Sequence, residues 1–220
     1  MKPDRLLVVA IDGPAGVGKS TLARRLAEAL GLAYLNTGAM YRALAREALR
    51  TGTDVGDGPA LAELARTLRF SINKGTPSSL LIDGRPADDD LATAEVEAVV
   101  SLVARHPEVR EVLRAEQRRL GSQGAVVEGR DIGTVVFPDA DLKVFLEADP
   151  VERAARRRAQ RDAAPETAEA LARRDALDSV TNPFVPAKDA LVVDTSGKEA
   201  DEVFQEVMAA VRRLRAGERG

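Results

Sequence analysis

The residues Gly13-Pro14-Ala15-Gly16-Val17-Gly18-Lys19-Ser20-Thr21 have the types and spacing to bind phosphate. Gly13, Gly18, Lys19 and Ser20 satisfy G-x-x-x-x-G-K-[ST], and the apolar run Leu6–Ile11 leads directly into them. A strand, a glycine-rich loop and a helix start, in that order, form a concavity that cradles the phosphates of ATP or GTP. Glycines let backbone N–H groups converge on a phosphate with no Cβ in the way. A lysine at position 19 then reaches the β- and γ-phosphates, and the Ser20 hydroxyl can ligate Mg²⁺. All nine residues are expected in the donor site, with Lys19 catalytic and Ser20 the metal ligand.

Two further arginines stand where they could hold a second phosphate. In open α/β sheets the ligand lies beyond the carboxyl ends of the strands. A second apolar run, Leu32–Leu35, ends in Asn36-Thr37-Gly38, with Tyr41-Arg42 one turn later. A third, Ala125–Glu128, ends in Gly129-Arg130-Asp131-Ile132-Gly133. Arg42 and Arg130 are thereby expected to face the triphosphate, and the planar fork of arginine suits bidentate phosphate binding. Arg153, Arg156, Arg157, Arg158 and Arg161 crowd a single stretch. They read either as a solvated helix face or as a lid that brings charge to a transferring γ-phosphoryl group. Such transfer rests on positioning, cations and exclusion of water. A phosphate acceptor is already an anion, so no general base is required. The one histidine, His106, precedes Pro107 at a helix start and reads as structural.

The elements that must hold these residues alternate. A helix with Leu22, Leu26 and Leu30 in a stripe follows the phosphate loop, and Gly31 is placed to cap it. A helix over Ala39–Arg50, carrying Met40, Leu44 and Leu49, follows the second strand. Thr51–Pro59, rich in Gly, Pro and Asp, marks a boundary. A helix over Ala60–Leu68 then leads to a hairpin, Arg69–Asn73 and Ser79–Asp83, with Gly75 and Pro77 in its turn. Two helices, Thr93–Arg105 and Pro107–Leu120, return the chain to the apolar strands Ala125–Glu128 and Leu142–Glu147. Helices over Val151–Arg161 and Glu166–Leu177, a strand at Leu191–Val193 and an amphipathic helix over Glu199–Arg215 complete the pattern. Strands alternating with helices point to a parallel sheet covered on both faces.

Composition narrows the function classes. The 220 residues suit one α/β domain with a small insertion, and 45% hydrophobic with 30% charged residues is a globular balance. A net charge of −3 argues against a nucleic-acid polymer as partner. The absence of cysteine removes disulfides and thiolate chemistry. Leu6–Ile11 is too short for a signal-peptide core, and no apolar run suits a membrane span, so a cytoplasmic protein with no membrane partner is expected. A GTP-dependent switch would need Asn-Lys-x-Asp after a strand. The sole Asn-Lys pair, Asn73-Lys74, continues as Gly75-Thr76 in the expected hairpin turn. A kinase on the same scaffold acting on UMP, shikimate or dephospho-coenzyme A stays open on these grounds.

Ile11-Asp12-Gly13 through Thr21, Asn36-Thr37-Gly38-Ala39-Met40-Tyr41-Arg42, and Glu128-Gly129-Arg130-Asp131-Ile132-Gly133-Thr134-Val135-Val136-Phe137-Pro138 together resemble bacterial cytidylate kinases. The Gly-Arg-Asp-Ile-Gly-Thr-Val-Val-Phe-Pro run is the discriminating stretch, and the likeness extends over essentially the whole chain. It implies an α/β P-loop three-layer sandwich with a central parallel sheet, formed by one kinase domain over residues 1–220. A small inserted monophosphate-binding lobe would span residues 53–100 and a short arginine-rich lid residues 153–167. The resemblance also implies ATP with Mg²⁺ as donor and CMP or dCMP as acceptor; a monomer is expected. Carried over position by position, it puts Thr37, Arg42 and Arg130 on the acceptor phosphate, and Ser101, Arg110 and Asp131 on the cytosine edge. Arg174 and Asp178 match positions near the ribose. Arg130, and Arg157 from the lid, join Lys19 as catalytic residues. The pairing suits cytosine, whose N4 amino group donates while N3 and O2 accept; uracil reverses N3 and the 4-position and leaves the same groups unpaired.

One position departs from the resemblance. The family carries a further arginine a few residues after Asp178, on the acceptor phosphate, where this chain has Thr181 in a shorter segment, Ser179–Phe184. Loss of one charge-assisted contact removes about 1.5–3 kcal/mol of binding unless Lys188 or a lid arginine substitutes. Thr181→Arg is accordingly expected to lower KM for CMP in steady-state kinetics; an unchanged KM would show that the contact is already replaced.

Overall fold

A computed structural model describes residues 7–73, 75, 78–87, 91, 93–159, 176 and 185–217, the backbone alone at 157–159. Five parallel strands form the central sheet: β1 (Val8–Asp12), β2 (Ala33–Asn36), β6 (Ala125–Glu128), β7 (Leu142–Glu147) and β8 (Leu191–Asp194). Their order is β2-β6-β1-β7-β8, so the phosphate-loop strand is central. β1 and β6 are buried throughout, which is why they read as unbroken apolar runs rather than alternating ones.

Alternate strand residues feed two separate cores, as a period of two requires. Ala10, Leu35, Ala125 and Val127 join one core. Helices α2 (Thr37–Thr51), α3 (Gly58–Thr67), α4 (Ala94–Ala104) and α5 (Pro107–Gly121) supply most of the rest, with Phe70, Leu80, Ile82, Leu91, Ile132 and Val136. Val9, Ile11, Val126, Val144, Leu146 and Val193 face the other way. They pack against α1 (Lys19–Leu30) and the last described helix, α7 (Ala200–Ala216). The three layers are those of an α/β sandwich.

Local chemistry sets the element ends. α1 stops at Gly31, whose left-handed backbone directs its N–H to the carbonyls of Ala27 and Glu28. α2 begins at Thr37 rather than Ala39, because the Asn36 side chain accepts from the Ala39 N–H at 3.1 Å and caps the helix early. Leu49, read as part of the α2 stripe, is 44% exposed. The hairpin β3 (Phe70–Asn73) and β4 (Ser79–Ile82) gains a third strand, β5 (Arg85–Pro86). Asp83 and Gly84 both take positive φ between β4 and β5, the two-residue turn that Asp-Gly favours. His106 lies 2.8 Å from the Val55 carbonyl through Nε2 and serves as packing.

After β6 comes a single π-helical turn, Ile132–Val136, absent from the sequence reading. Phe137 N–H reaches back five residues to the Ile132 carbonyl and Val136 N–H to that of Asp131. Its start is fixed from the sheet, because the Asp12 carboxylate accepts from the Ile132 and Gly133 N–H groups at 2.7 Å each. Burial pushes the Asp12 carboxyl up to about 6, against the pull of those two N–H groups and of Lys19. Helix α6 (Pro150–Ala159) follows β7. The expected helix Glu166–Leu177 and the lid beyond residue 159 lie outside the described residues, Ala176 apart.

Two outcomes test this architecture. Leu61 on α3 is fully buried in the same core as sheet residues Ala10 and Val127. Leu61→Ala is expected to cost about 2–5 kcal/mol in one cooperative denaturant transition; a separate early transition would mean an independent lobe. Asp12, with a folded pKa above its unfolded value, binds a proton more readily in the native state, so its ionisation costs stability as pH rises from 4 through 6. Relative to Asp12→Asn, the unsubstituted protein should gain about 1 kcal/mol of stability between pH 8 and pH 5. Paired denaturation curves at the two pH values measure it.

Candidate active site

The carboxyl ends of β1, β2 and β6 open onto one cavity of about 200 Å³. Ala15, Gly16, Gly18, Lys19, Ser20 and Thr21 form one wall. Asn36, Thr37, Gly38, Tyr41 and Arg42 from β2 and α2 line another, with Val100, Ser101 and Ala104 from α4. Arg110 and residues Glu128 to Asp131 complete the lining. The structure thus brings together six of the nine phosphate-loop residues and six of the eight expected acceptor residues. Arg174 and Asp178, together with Thr181, lie outside the described residues, as does the side chain of Arg157.

The phosphate loop has little freedom. A Cβ at Gly13 would stand 2.2 Å from the Leu146 carbonyl oxygen on β7, at a φ of +145° that side chains rarely adopt. Gly13, Pro14 and Val17 do not line the cavity; Val17 is buried as an anchor behind it. The Lys19 ammonium donates to the carbonyls of Gly13 at 2.9 Å and Pro14 at 2.6 Å. α1 starts at Lys19 with Gly18 as its cap and no acidic residue in its first turn. Its N–H groups and positive dipole end therefore favour an anion.

The facing wall is built around the β6 end. Thr37 Oγ1 donates to the Glu128 carbonyl at 2.7 Å. A Cβ at Gly129 would meet Thr37 Oγ1 at 2.6 Å, so the turn into Arg130 needs a glycine. Arg130 donates to the Gly13 carbonyl at 2.9 Å and so spans the two walls. Asp131 Oδ2 accepts from Arg110 at 2.8 Å and from Arg114 at 2.5 Å. Lys188, the candidate substitute cation, is exposed and is not part of the cavity lining.

Four groups in or beside the site carry more than the sequence disclosed. Glu128 is a buried carboxylate that accepts from the Tyr34 hydroxyl at 2.5 Å. Burial and the Glu128 charge push the Tyr34 hydroxyl well above its ordinary range. Ser20 and Glu128 offer hard oxygen donors in one cavity, the kind a Mg²⁺ ion takes. The signal was an acid ending the apolar strand beside the phosphate-loop strand. Arg114 stands four residues after Arg110, a spacing that shares one helix face. Arg153 donates to the Ala15 carbonyl at 3.1 Å, and Arg156 to Thr195 Oγ1 at 2.9 Å and its carbonyl at 2.7 Å. These two arginines of the basic helix are docked on the loop and on the end of β8 rather than solvated.

The profile of the cytidylate kinase family matches residues 9–213. A cytidylate kinase of Pelotomaculum thermopropionicum is 43% identical, the match covering 96% of this chain and 97% of that one. One of Geobacillus kaustophilus is likewise 43% identical, over 94% of this chain and 97% of that protein. A bifunctional pantoate ligase/cytidylate kinase of a Synechococcus species is 46% identical over 90% of this chain, which spans 43% of that longer protein. Among solved structures, a gluconokinase from Sinorhizobium meliloti superposes with a TM-score of 0.51 at 17% identity, covering 94% and 93% of the two chains, a likeness of fold. Among the described residues no helix is long and apolar enough to cross a membrane. The chain belongs to the cytidylate kinase family.

Proposed function

We propose that this chain transfers the γ-phosphoryl group of ATP to CMP or dCMP, giving ADP and CDP or dCDP. One observation carries the reading: a single cavity has the phosphate loop on one wall and Thr37, Arg42, Arg130 and Asp131 on the others. Two phosphate-binding walls facing each other suit transfer between two substrates, whereas a triphosphate switch needs only one.

In this reading Lys19 and the α1 N-terminus hold the β- and γ-phosphates. Arg42 and Thr37 hold the acceptor phosphate. Arg130, between the walls, neutralises charge on the group in transit. The acceptor oxygen is anionic at neutral pH, so the protein's task is positioning and exclusion of water. Asp131 accepts from the cytosine N4 amino group, and Arg110 donates toward N3 and O2, with Ser101 alongside. Uracil would set its O4 against the Asp131 carboxylate, and such mispairing is strongly rejected. Mg²⁺, held through Ser20 with Glu128 behind it, supplies charge neutralisation at the phosphates when bound. Arg157 would act from a lid over residues 153–167, and Arg174 and Asp178 would meet the ribose. The lobe over residues 53–100 would carry the acceptor side. The working unit is read as a monomer in the cytoplasm.

With ATP and Mg²⁺, a panel of CMP, dCMP, UMP, AMP, GMP and shikimate should give turnover with the cytidine nucleotides above all others. A preference for any other acceptor overturns the assignment. Lys19→Ala should lower kcat/KM about 10²–10³-fold while thermal unfolding stays near that of the unsubstituted protein. Near-normal turnover in that variant would remove the donor assignment.

A further inference from the structure

Helix α5 turns a ladder of arginines toward the segment that follows β6. Arg110, Arg114 and Arg118 recur at four-residue spacing and so share a face. At one end of the ladder Arg110 and Arg114 both donate to Asp131 Oδ2. At the other, Arg118 donates to the carbonyls of Val136 at 3.0 Å and Val135 at 2.9 Å. The π-helical turn between them is therefore gripped at both ends from one helix.

The two arginines on Asp131 are not equivalent. The Arg110 side chain is 7% exposed, lines the cavity and also donates to the Ala104 carbonyl at 3.3 Å. The Arg114 side chain is 23% exposed and stands outside the cavity lining. Its guanidinium meets the same carboxylate oxygen, Oδ2, while Asp131 Oδ1 makes no hydrogen bond among the described residues. A carboxylate held through one oxygen by one group can still rotate. Two guanidinium groups on that oxygen fix the rotation and leave Oδ1 able to accept a further donor.

We propose that Arg114 is a positioning residue that sets the Asp131 carboxylate for the acceptor base and keeps its charge paired when Arg110 turns to the base. This rests on the cytidine reading above. Arg110 has two duties, since it bonds Asp131 and lines the space where a base would lie. A guanidinium drawn toward the base gives up part of its hold on the carboxylate, and a half-buried carboxylate stripped of its partner is costly. Arg114, outside the cavity, has no competing ligand and holds Asp131 throughout. Its effect falls on acceptor affinity and on the choice between cytosine and uracil, because only cytosine donates to Asp131.

The test compares the unsubstituted chain with Arg114→Gln and Arg114→Lys, measuring kcat and KM for CMP, UMP and ATP, with thermal unfolding alongside. Arg114→Gln is expected to raise KM for CMP at least about tenfold with kcat within about threefold, and to leave KM for ATP unchanged. The ratio of kcat/KM for CMP over UMP should fall about tenfold, since UMP has less to lose. Arg114→Lys, which keeps the charge but not the fork, should recover part of the loss. Should Arg114→Gln not fold, Arg114→Lys carries the test alone, with a CMP-specific rise in KM expected. A KM for CMP within about twofold of the unsubstituted value overturns the proposal, as does a loss shared equally by CMP, UMP and ATP. Preference for a non-cytidine acceptor by the unsubstituted chain overturns the underlying reading instead, and is seen before any substitution is made.

Discussion

The outward carbonyl oxygens of the phosphate loop hold the two halves of the site together. A loop wound through positive φ at Gly13, Gly16 and Gly18 cannot pair its carbonyls as a helix or strand would. Cationic side chains from three different segments take them instead. Lys19 from α1 bonds the Gly13 and Pro14 oxygens, Arg130 from the β6 turn bonds Gly13, and Arg153 from α6 bonds Ala15. The contact of Gly13 with the Leu146 carbonyl admits no side chain, so the loop is pinned against β7 as well. The α1 start, the turn after β6 and the basic helix are thus fastened to the same few peptide groups, and displacement of one is felt by the others.

How much of this was legible in the sequence depends on the range of the interaction involved. The parallel strands were plain because both faces of β1 and β6 are buried, which leaves an unbroken apolar run. The phosphate loop was plain because glycine and lysine spacing is local. Arg42, Arg130 and Asp131 were legible as polar residues at strand ends, where the topology turns them to one edge. The π turn was not legible, since its geometry is set by Asp12 from a distant strand and by Arg118 from a helix. Arg114 was hidden for a related reason: an arginine on an amphipathic helix looks like solvated surface until its partner from another loop is known. The β5 strand was missed although Asp83-Gly84 is a turn signal, because two exposed residues carry no periodicity.

Three carboxylates stand in or beside a cavity that this reading fills with phosphate, and each is stabilised differently. Asp12 accepts from two backbone N–H groups, and its burial raises its pKa to about 6 despite them. Glu128 accepts from the Tyr34 hydroxyl, whose own ionisation that arrangement suppresses. Asp131 has two guanidinium groups. The Lys19 ammonium lies close enough to Asp12 to favour its negative charge.

Asp131 has the harder task, because in this reading it must stay fixed and able to accept a hydrogen bond while an anionic substrate enters beside it. A lone carboxylate there would repel the acceptor phosphate. One paired with a single arginine would form a neutral unit that loses its partner when that arginine binds the base. Two guanidinium groups on one carboxylate leave the cluster net cationic both before and after the base arrives. Discrimination at the base then adds to, rather than opposes, the attraction that Arg42 and Arg130 hold for the phosphate, and a four-residue spacing on one helix supplies both cations.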